Sequence, residues 1–375
     1  MAEEPDDTGV EQTVLGRMLW EAPPPPEIGH FISYNDGETT LKVQIGKDGL
    51  VIGRMPSNDL MIDNANVSRR HCRIDVQGDW SILTDLGSTN GTFVDGTKID
   101  RPTRLRAGAQ IALGTFRLKY DRRDMQEVAQ EAELTADLKR AEQYVRAILP
   151  QPITSGPVRA EWCFIPSTTL GGDAFGYQYL DGDYFTGFLL DVAGHGIGSA
   201  MHAANVTNTI RRRALPGVDF RDPAQVAAGL NEMFPMEEHN GLMLTIWYFC
   251  YHLPSRELRY CAAGHHAAQL ITPAQPVPQP LWLRSPAIGF LPFGTWRIAS
   301  AVMPPGAKLY IFSDGAFEIV TAQGRQWSID DLRQAIMHNQ APELAEPQRL
   351  FKAVRAAARP GPMDDDFSVL HICFD

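Results

Sequence analysis

Between Phe31 and Tyr120 apolar residues come in short runs that alternate with polar ones and break at Gly, Asn and Asp. The clearest runs are Leu41-Lys-Val-Gln-Ile45, Arg73-Ile-Asp-Val76, Ser81-Ile-Leu-Thr84, Thr92-Phe-Val94, Gln110-Ile-Ala-Leu113 and Phe116-Arg-Leu-Lys-Tyr120. A period of two sends successive side chains to opposite faces of a strand, and this spacing leaves no room for a helix. The pattern predicts an all-β sandwich over residues 30–120. Texture changes at 121, after which no Gly or Pro occurs until Pro150. Residues 121–150 read as a helical linker in which Leu134, Leu138, Ala141, Val145 and Ile148 step by 4, 3, 4 and 3. That seam suits a helix packed on the next domain and, equally, a linker that pairs with a second copy into a homodimer. Residues 151–375 alternate strands and helices: Ser199–Arg213, Pro223–Phe234, Ser328–His338 and Glu346–Ala358 read as helical, and Leu242–Cys250 with Leu258–Ala263 as a hairpin. The expected class is multidomain: a sandwich, a helical linker, then an α/β domain.

Composition narrows the class. With 375 residues, 44% hydrophobic and 21% charged, the chain has the make-up of a globular protein of two or three domains. Residues 1–29, acidic and then carrying Pro23-Pro24-Pro25-Pro26, read as a disordered tail. No apolar run reaches membrane-spanning length, and the acidic start is unlike a signal peptide, so no membrane partner and a cytoplasmic location are expected. The five cysteines are scattered without a Cys-x-x-Cys pair, which favours reduced thiols over a zinc site. A net charge of −11 argues against nucleic acid as a partner.

Candidate chemistry begins with aspartates set where apolar runs end. Asp191 follows Tyr184-Phe-Thr-Gly-Phe-Leu-Leu190, Asp314 follows Lys308-Leu-Tyr-Ile-Phe-Ser313, Asp173 closes Leu170-Gly-Gly, and Asp364-Asp365-Asp366 precedes Phe367. Any one of these reads as a turn or cap residue. Four at the ends of strands expected to share one sheet suggest a single pocket of hard oxygen ligands suited to Mg²⁺ or Mn²⁺.

In the sandwich region three motifs stand in order: Gly53-Arg54, Val67-Ser68-Arg69-Arg70-His71 and Asp85-Leu86-Gly87-Ser88-Thr89-Asn90-Gly91-Thr92. Together they resemble a forkhead-associated (FHA) domain, a phosphothreonine-reading β-sandwich. The resemblance implies a phosphopeptide site at Arg54, Ser68, Arg69, Thr89 and Asn90, with His71 and Gly91 holding the loops. A dianionic phosphate needs a fixed cation and several neutral donors, which these side chains supply. Asp95-Gly96 stands where the family commonly has Asn-Gly, and both pairs suit a tight hairpin turn.

The C-terminal half carries Leu170-Gly171-Gly172-Asp173, Asp191-Val192-Ala193-Gly194-His195-Gly196, Ala262-Ala263-Gly264-His265, Ser313-Asp314-Gly315 and Asp365-Asp366-Phe367-Ser368. This series resembles the bacterial PPM (PP2C-like) serine/threonine phosphatases of the SpoIIE/RsbU type. Ile148-Leu-Pro-Gln-Pro152 is similar to the junction that opens their catalytic domain. The resemblance implies two packed β-sheets flanked by helices and hydrolysis of phosphoserine or phosphothreonine by water activated at two divalent ions. By the same resemblance Asp191 bridges both ions, the Val192 carbonyl and Asp173 complete one metal site, and Asp314 and Asp365 supply the other; Asp191 and Asp314 are the catalytic candidates. His195 reads either as a general acid or as a residue shaping its loop. His265 and His266 read as fixing a strand-end turn or lining the rim. Gly176 departs from the family, which usually carries an acidic residue there, and this puts an auxiliary metal in question.

The expected function is a metal-dependent protein phosphatase of bacterial signalling, recruited or regulated through its FHA domain. The expected partners are a phosphothreonine protein, a Ser/Thr kinase and a phosphorylated regulator such as an anti-sigma-factor antagonist. The rival is a catalytically weak phosphatase-like scaffold that binds phosphopeptides. A further expectation is that Thr8 or Thr13, once phosphorylated, would occupy the Arg54 pocket, against the simpler reading of a solubilising tail.

Overall fold

Where the sequence alternates, sheet forms. A computed structural model describes residues 26–35, 40–338 and 343–375; Thr8 and Thr13 lie outside them. The chain divides into two units, Met1–Thr135 and Ala136–Asp375.

The first unit is a sandwich of two sheets. One orders its strands Thr40–Gln44, Ile28–Asn35, Phe116–Asp124, Gln110–Leu113, Thr92–Val94 and Thr97–Lys98; the other runs Leu60–Met61, Leu50–Gly53, Cys72–Gln77, Trp80–Asp85 and Thr103–Leu105. Ile32, Ile52, Ile74, Leu83 and Ile111 meet between them with no exposed surface. Each such side chain contributes about 1.5–3 kcal/mol by leaving water. The first strand begins at Ile28, inside the segment read as tail, and the strand read as ending at Tyr120 continues to Asp124. Backbone pairing explains both, since Ile28 faces Asp124 and Phe31 faces Asp121 across the ladder.

Helix α1 (Met125–Ile148) contains the boundary between the units. Of its seam, Leu134 is exposed and Leu138, Ala141 and Val145 are half-buried. Its end is tied down: the Ile148 carbonyl accepts from Arg211 at 2.7 Å, and Leu149 is buried in a core.

The second unit has two five-stranded sheets. One runs Val158–Ile165, Phe367–Phe374, Ala307–Phe312, Ala268–Thr272 and Gln275–Leu281; the other runs Asp173–Tyr179, Tyr184–Val192, Leu244–His252, Glu257–Ala263 and Ala299–Val302. Phe175, Leu189, Trp247, Leu309 and Leu370 fill the space between them. Helices α2 (Ile197–Arg211) and α3 (Pro223–Met233) cover the second sheet, and α4 (Ile329–Met337) and α5 (Glu346–Ala357) the first. The hydrophobic pattern of each helix follows this burial, and local caps fix the starts: Asp222 accepts from Ala224 N–H, and Ser328 with Asp331 forms a capping box. No described helix is long and apolar enough to cross a membrane.

Candidate functional site

In the second unit both sheets deliver carboxylates to one end. Asp173 opens one strand and Asp191 nears the end of its antiparallel neighbour, where the two are register partners and share a face. Phe175 and Leu189 on that face point between the sheets. From the other sheet come Asp314, one residue past Ser313, and Asp365, just ahead of Phe367. Asp366 ties the two sheets together. Its Oδ1 accepts from Ser167 N–H at 2.7 Å and Ser167 Oγ–H at 2.9 Å, and its Oδ2 from Gly172 N–H at 2.7 Å. The sequence singled out Asp365 and treated Asp366 only as its neighbour; the motif Asp365-Asp366-Phe367-Ser368 was the available signal.

Backbone approach is close around these groups. A Cβ on Gly172 would stand 2.8 Å from the Val192 carbonyl oxygen, so only glycine lets that loop close. Gly194 and Gly196 take φ of 86° and 93°, turning the chain from Asp191 into α2.

Electrostatics mark the carboxylates as one group. Asp173 is buried, and burial followed by the charges of Asp191 and Asp366 holds its carboxyl well above the usual range. The hydroxyls of Ser368 and Ser313 act against that rise, yet neither closes a hydrogen bond on Asp173 Oδ2, which is buried without a partner. Asp191 is pushed up to about 7 by burial and then by Asp314, Asp365 and Asp366. Asp314 is pushed up to about 6 by burial, Asp365 and Glu318. Burial also raises Asp365, with His195 working against the rise. Such a set of repelling carboxylates has a strong electrostatic preference for a multivalent cation. Among the described residues no three acidic, imidazole or thiol side chains are drawn closely enough round one point to close a metal shell by themselves.

Three further positions are resolved by the fold. Gly176 lies one residue out of phase with Asp173 and Phe175, on the helix-facing side, where a Cβ would meet the Phe188 ring at 2.8 Å. A carboxylate on this backbone would start from the face opposite Asp173 and Asp191. The His265 and His266 rings lie 4.2 Å apart and tilted, and His266 stacks on Phe312, the residue before Ser313. Burial lowers His265 to about 4 and His266 well below the usual imidazole range, so both pack as neutral rings behind the Asp314 turn.

In the first unit three loops interlock at one end of the sandwich. Arg54 N–H donates to the Ser68 carbonyl at 2.9 Å, Thr89 N–H to Ser68 Oγ at 2.9 Å, and Asn90 Nδ2–H to the Asn66 carbonyl at 2.9 Å. His71 Nδ1 accepts from Ser68 N–H at 3.0 Å, which leaves the proton on Nε2, 3.3 Å from the Gly91 carbonyl. Burial lowers the His71 pKa and keeps this tautomer neutral. Asp85 gathers the third loop by accepting from Gly87 N–H, Ser88 N–H, Ser88 Oγ–H and Thr92 Oγ1–H. Asn58, which the sequence reading did not single out, is buried and donates to the carbonyls of Met55 and Arg69. Arg54, Arg69, Thr89 and Asn90 are exposed, and neither arginine has an ion pair among the described residues.

Comparison with known proteins agrees with both units. Residues 181–375 match the Stage II sporulation protein E (SpoIIE) family and residues 50–114 the FHA domain. The glycogen accumulation regulator GarA of Mycolicibacterium smegmatis is 37% identical over 68 residues, 18% of this chain and 42% of GarA. The phosphoserine phosphatase RsbP of Bacillus subtilis is 24% identical over 183 residues, 48% of this chain and 45% of RsbP. The chain thus spans less than half the length of these relatives. Among solved structures the SiaA-PP2C domain of Pseudomonas aeruginosa superposes with a TM-score of 0.56 at 19% identity, covering 66% of this chain and 99% of that domain. This likeness is one of fold.

Proposed function

Because the chain belongs to the Stage II sporulation protein E (SpoIIE) family and carries an FHA domain, we propose that it is a metal-dependent protein serine/threonine phosphatase directed by phosphothreonine recognition. The observation that carries the reading is the set Asp173, Asp191, Asp314 and Asp365, gathered where two sheets end and mutually raised in pKa. The unpartnered Asp173 Oδ2 fits a hard cation such as Mg²⁺ or Mn²⁺ in kind. In this reading Asp191, Asp173, the Val192 carbonyl, Asp314 and Asp365 are the groups that would hold two divalent ions. Two such ions would supply Lewis acidity and a water of lowered pKa for attack on a phosphomonoester. Asp366 holds the Gly172 turn against the opposite sheet and so fixes the spacing of the other carboxylates. Ser313 Oγ–H, donating to the Asp366 carbonyl at 2.8 Å, holds the Asp314 turn in the same way.

Arg54, Ser68, Arg69, Thr89 and Asn90 would read a phosphothreonine on a partner such as a kinase, a scaffold or the substrate itself. Arg54 and Arg69 offer charge without a competing carboxylate, and locked loops keep the neutral donors in place. A phosphorylated regulator of the anti-sigma-factor antagonist class, in the cytoplasm, is the substrate that fits this pairing of domains. The scaffold reading rested on Gly176, and that position faces away from the carboxylates.

Hydrolysis of an aryl phosphate by the full chain, titrated with Mn²⁺ and Mg²⁺, tests the reading. Metal-dependent turnover is expected, and Asp191→Asn should reduce it beyond the roughly 10–100-fold typical of losing an outer-shell partner. Turnover that is absent with both metals, or intact in Asp191→Asn, would reject it.

A further inference from the structure

A second cluster of titratable groups lies on the strand Phe367–Phe374, at the end away from Asp365 and Asp366. Leu370, Ile372 and Phe374 face the other sheet, while Phe367 and Val369 face the helices, and His371 and Cys373 continue the helix-facing series. Register places Cys373 between Arg159 and Lys308 on the flanking strands, and His371 between Glu161 and Tyr310. The His371 ring joins two of these groups: Nδ1 is 2.9 Å from Glu161 Oε1, and Nε2 is 3.7 Å from Cys373 Sγ. Thr154, Lys308, Glu161, His371 and Cys373 line a cavity of ≈ 450 Å³.

Thiol, imidazole and carboxylate in line form the sequence of nucleophile, base and orienting group. Burial opposes charge on His371, but its bonds to Cys373 and Glu161 outweigh that and raise its pKa. Glu161 is held below its ordinary value, first by its hydrogen bond to His371. An imidazole so poised takes the thiol proton and stabilises the thiolate beside it. Of the surrounding charges, Arg159 binds the Asp375 carboxylate, Glu346 is held by Arg349 and Tyr310, and Lys308 has no ion pair among the described residues. The other four cysteines differ. Burial pushes each of their thiols up, Cys163 to about 11 and Cys250 and Cys261 to about 12, with Cys72 higher still. No trio of side chains here is spaced to share a metal ion.

We propose that Cys373 is a nucleophilic thiol and a modification site that exchanges with small-molecule disulfides, the adduct occupying this cavity. The Sγ proton passes to His371 Nε2, and the thiolate attacks one sulfur of the disulfide. A new S–S bond forms to Cys373 as the reagent's own S–S bond breaks, and the departing thiolate takes the proton from Nε2. The Cys373 sulfur is oxidised and the departing sulfur reduced, so no other oxidant is required. The adduct lies against Pro152-Ile153-Thr154, the segment that follows α1 within the second unit.

The test is to treat the folded full chain with limiting glutathione disulfide and map the adduct by peptide mass. Cys373 should react first, at least about tenfold faster than any other thiol. His371→Gln, with its near-ultraviolet circular dichroism intact, should slow Cys373 roughly tenfold. Should that variant fail to fold, the unmodified protein gives the answer: the lead of Cys373 over the other thiols should hold in the folded chain and vanish in denaturing urea. No Cys373 adduct on folded protein, a rate equal to that of the other thiols, or a lead that survives unfolding would overturn the proposal.

Discussion

The loops around Arg54 are closed by hydrogen bonds that they make with one another and leave their cations in water, whereas the end of the sheets around Asp191 collects negative charge in a buried place. His71, Asp85 and Asn58 satisfy one another's loops, so the first site is complete as folded. In the second, Asp173 has an unpartnered oxygen and Asp191, Asp314 and Asp365 each raise the cost of ionising a neighbour. The contrast is between a set of loops whose polar groups are satisfied by one another and a carboxylate cluster whose charges are not, the arrangement on which the proposed phosphothreonine and metal sites rest.

The largest effect should come from Asp173→Asn. Metal-dependent hydrolysis should fall by more than about 100-fold, since a proposed ligand is lost. Removing a buried, repelled carboxyl should also raise the melting temperature measured in EDTA; a lower one would mean the charge is not strained. On the other side of the comparison, Arg54→Ala should weaken a phosphothreonine peptide by about 10–100-fold in calorimetry, since hydrogen bonds to charged groups are worth about 1.5–3 kcal/mol. Aryl phosphate turnover should stay unchanged, and a matching loss there would join the sites that the structure describes separately.

The smallest effect is a pH trend. In the folded chain without cations Asp191 and Asp314 titrate at about 7 and about 6, against an ordinary 3.8. Between those values the folded state binds more protons than the unfolded, so stability falls as pH rises from about 4 to 7. Thermal melts in EDTA should therefore be lower at pH 8 than at pH 5, by roughly 2–4 °C for each kcal/mol lost in a domain of this size, and Mn²⁺ should remove most of the difference. A trend of the opposite sign would show that the carboxylates do not repel as described.

Much of this is legible in the chain because period-two alternation and loop motifs are local signals. Thr92–Val94 and Gln110–Leu113 are strands residue for residue, and the four separated aspartates do come to one end of the sheets. Asp121-Arg-Arg-Asp124 carries no apolar alternation; it becomes strand only because the backbone of Ile28–Phe31 pairs with it. The role of Asp366 was hidden for a related reason, since its partner Ser167 lies 199 residues away. Gly176 needed a face assigned by register, which sequence spacing to a family motif does not give. His371 and Cys373 looked like two residues of a buried strand until Glu161, 210 residues earlier, was set beside them.

The strand Phe367–Phe374 is hydrogen-bonded on both sides, to Val158–Ile165 and to Ala307–Phe312. Arg159 and Asp375, which meet across that ladder, are 216 residues apart. Closing so long a loop comes late and slowly, because chain entropy must be lost before the contacts form. During synthesis the FHA sandwich can finish while the larger sheet still lacks its middle strand. The carboxylates at one end of that strand and the thiol at the other therefore come into place together, in the same final step, after the FHA sandwich of a nascent chain has closed.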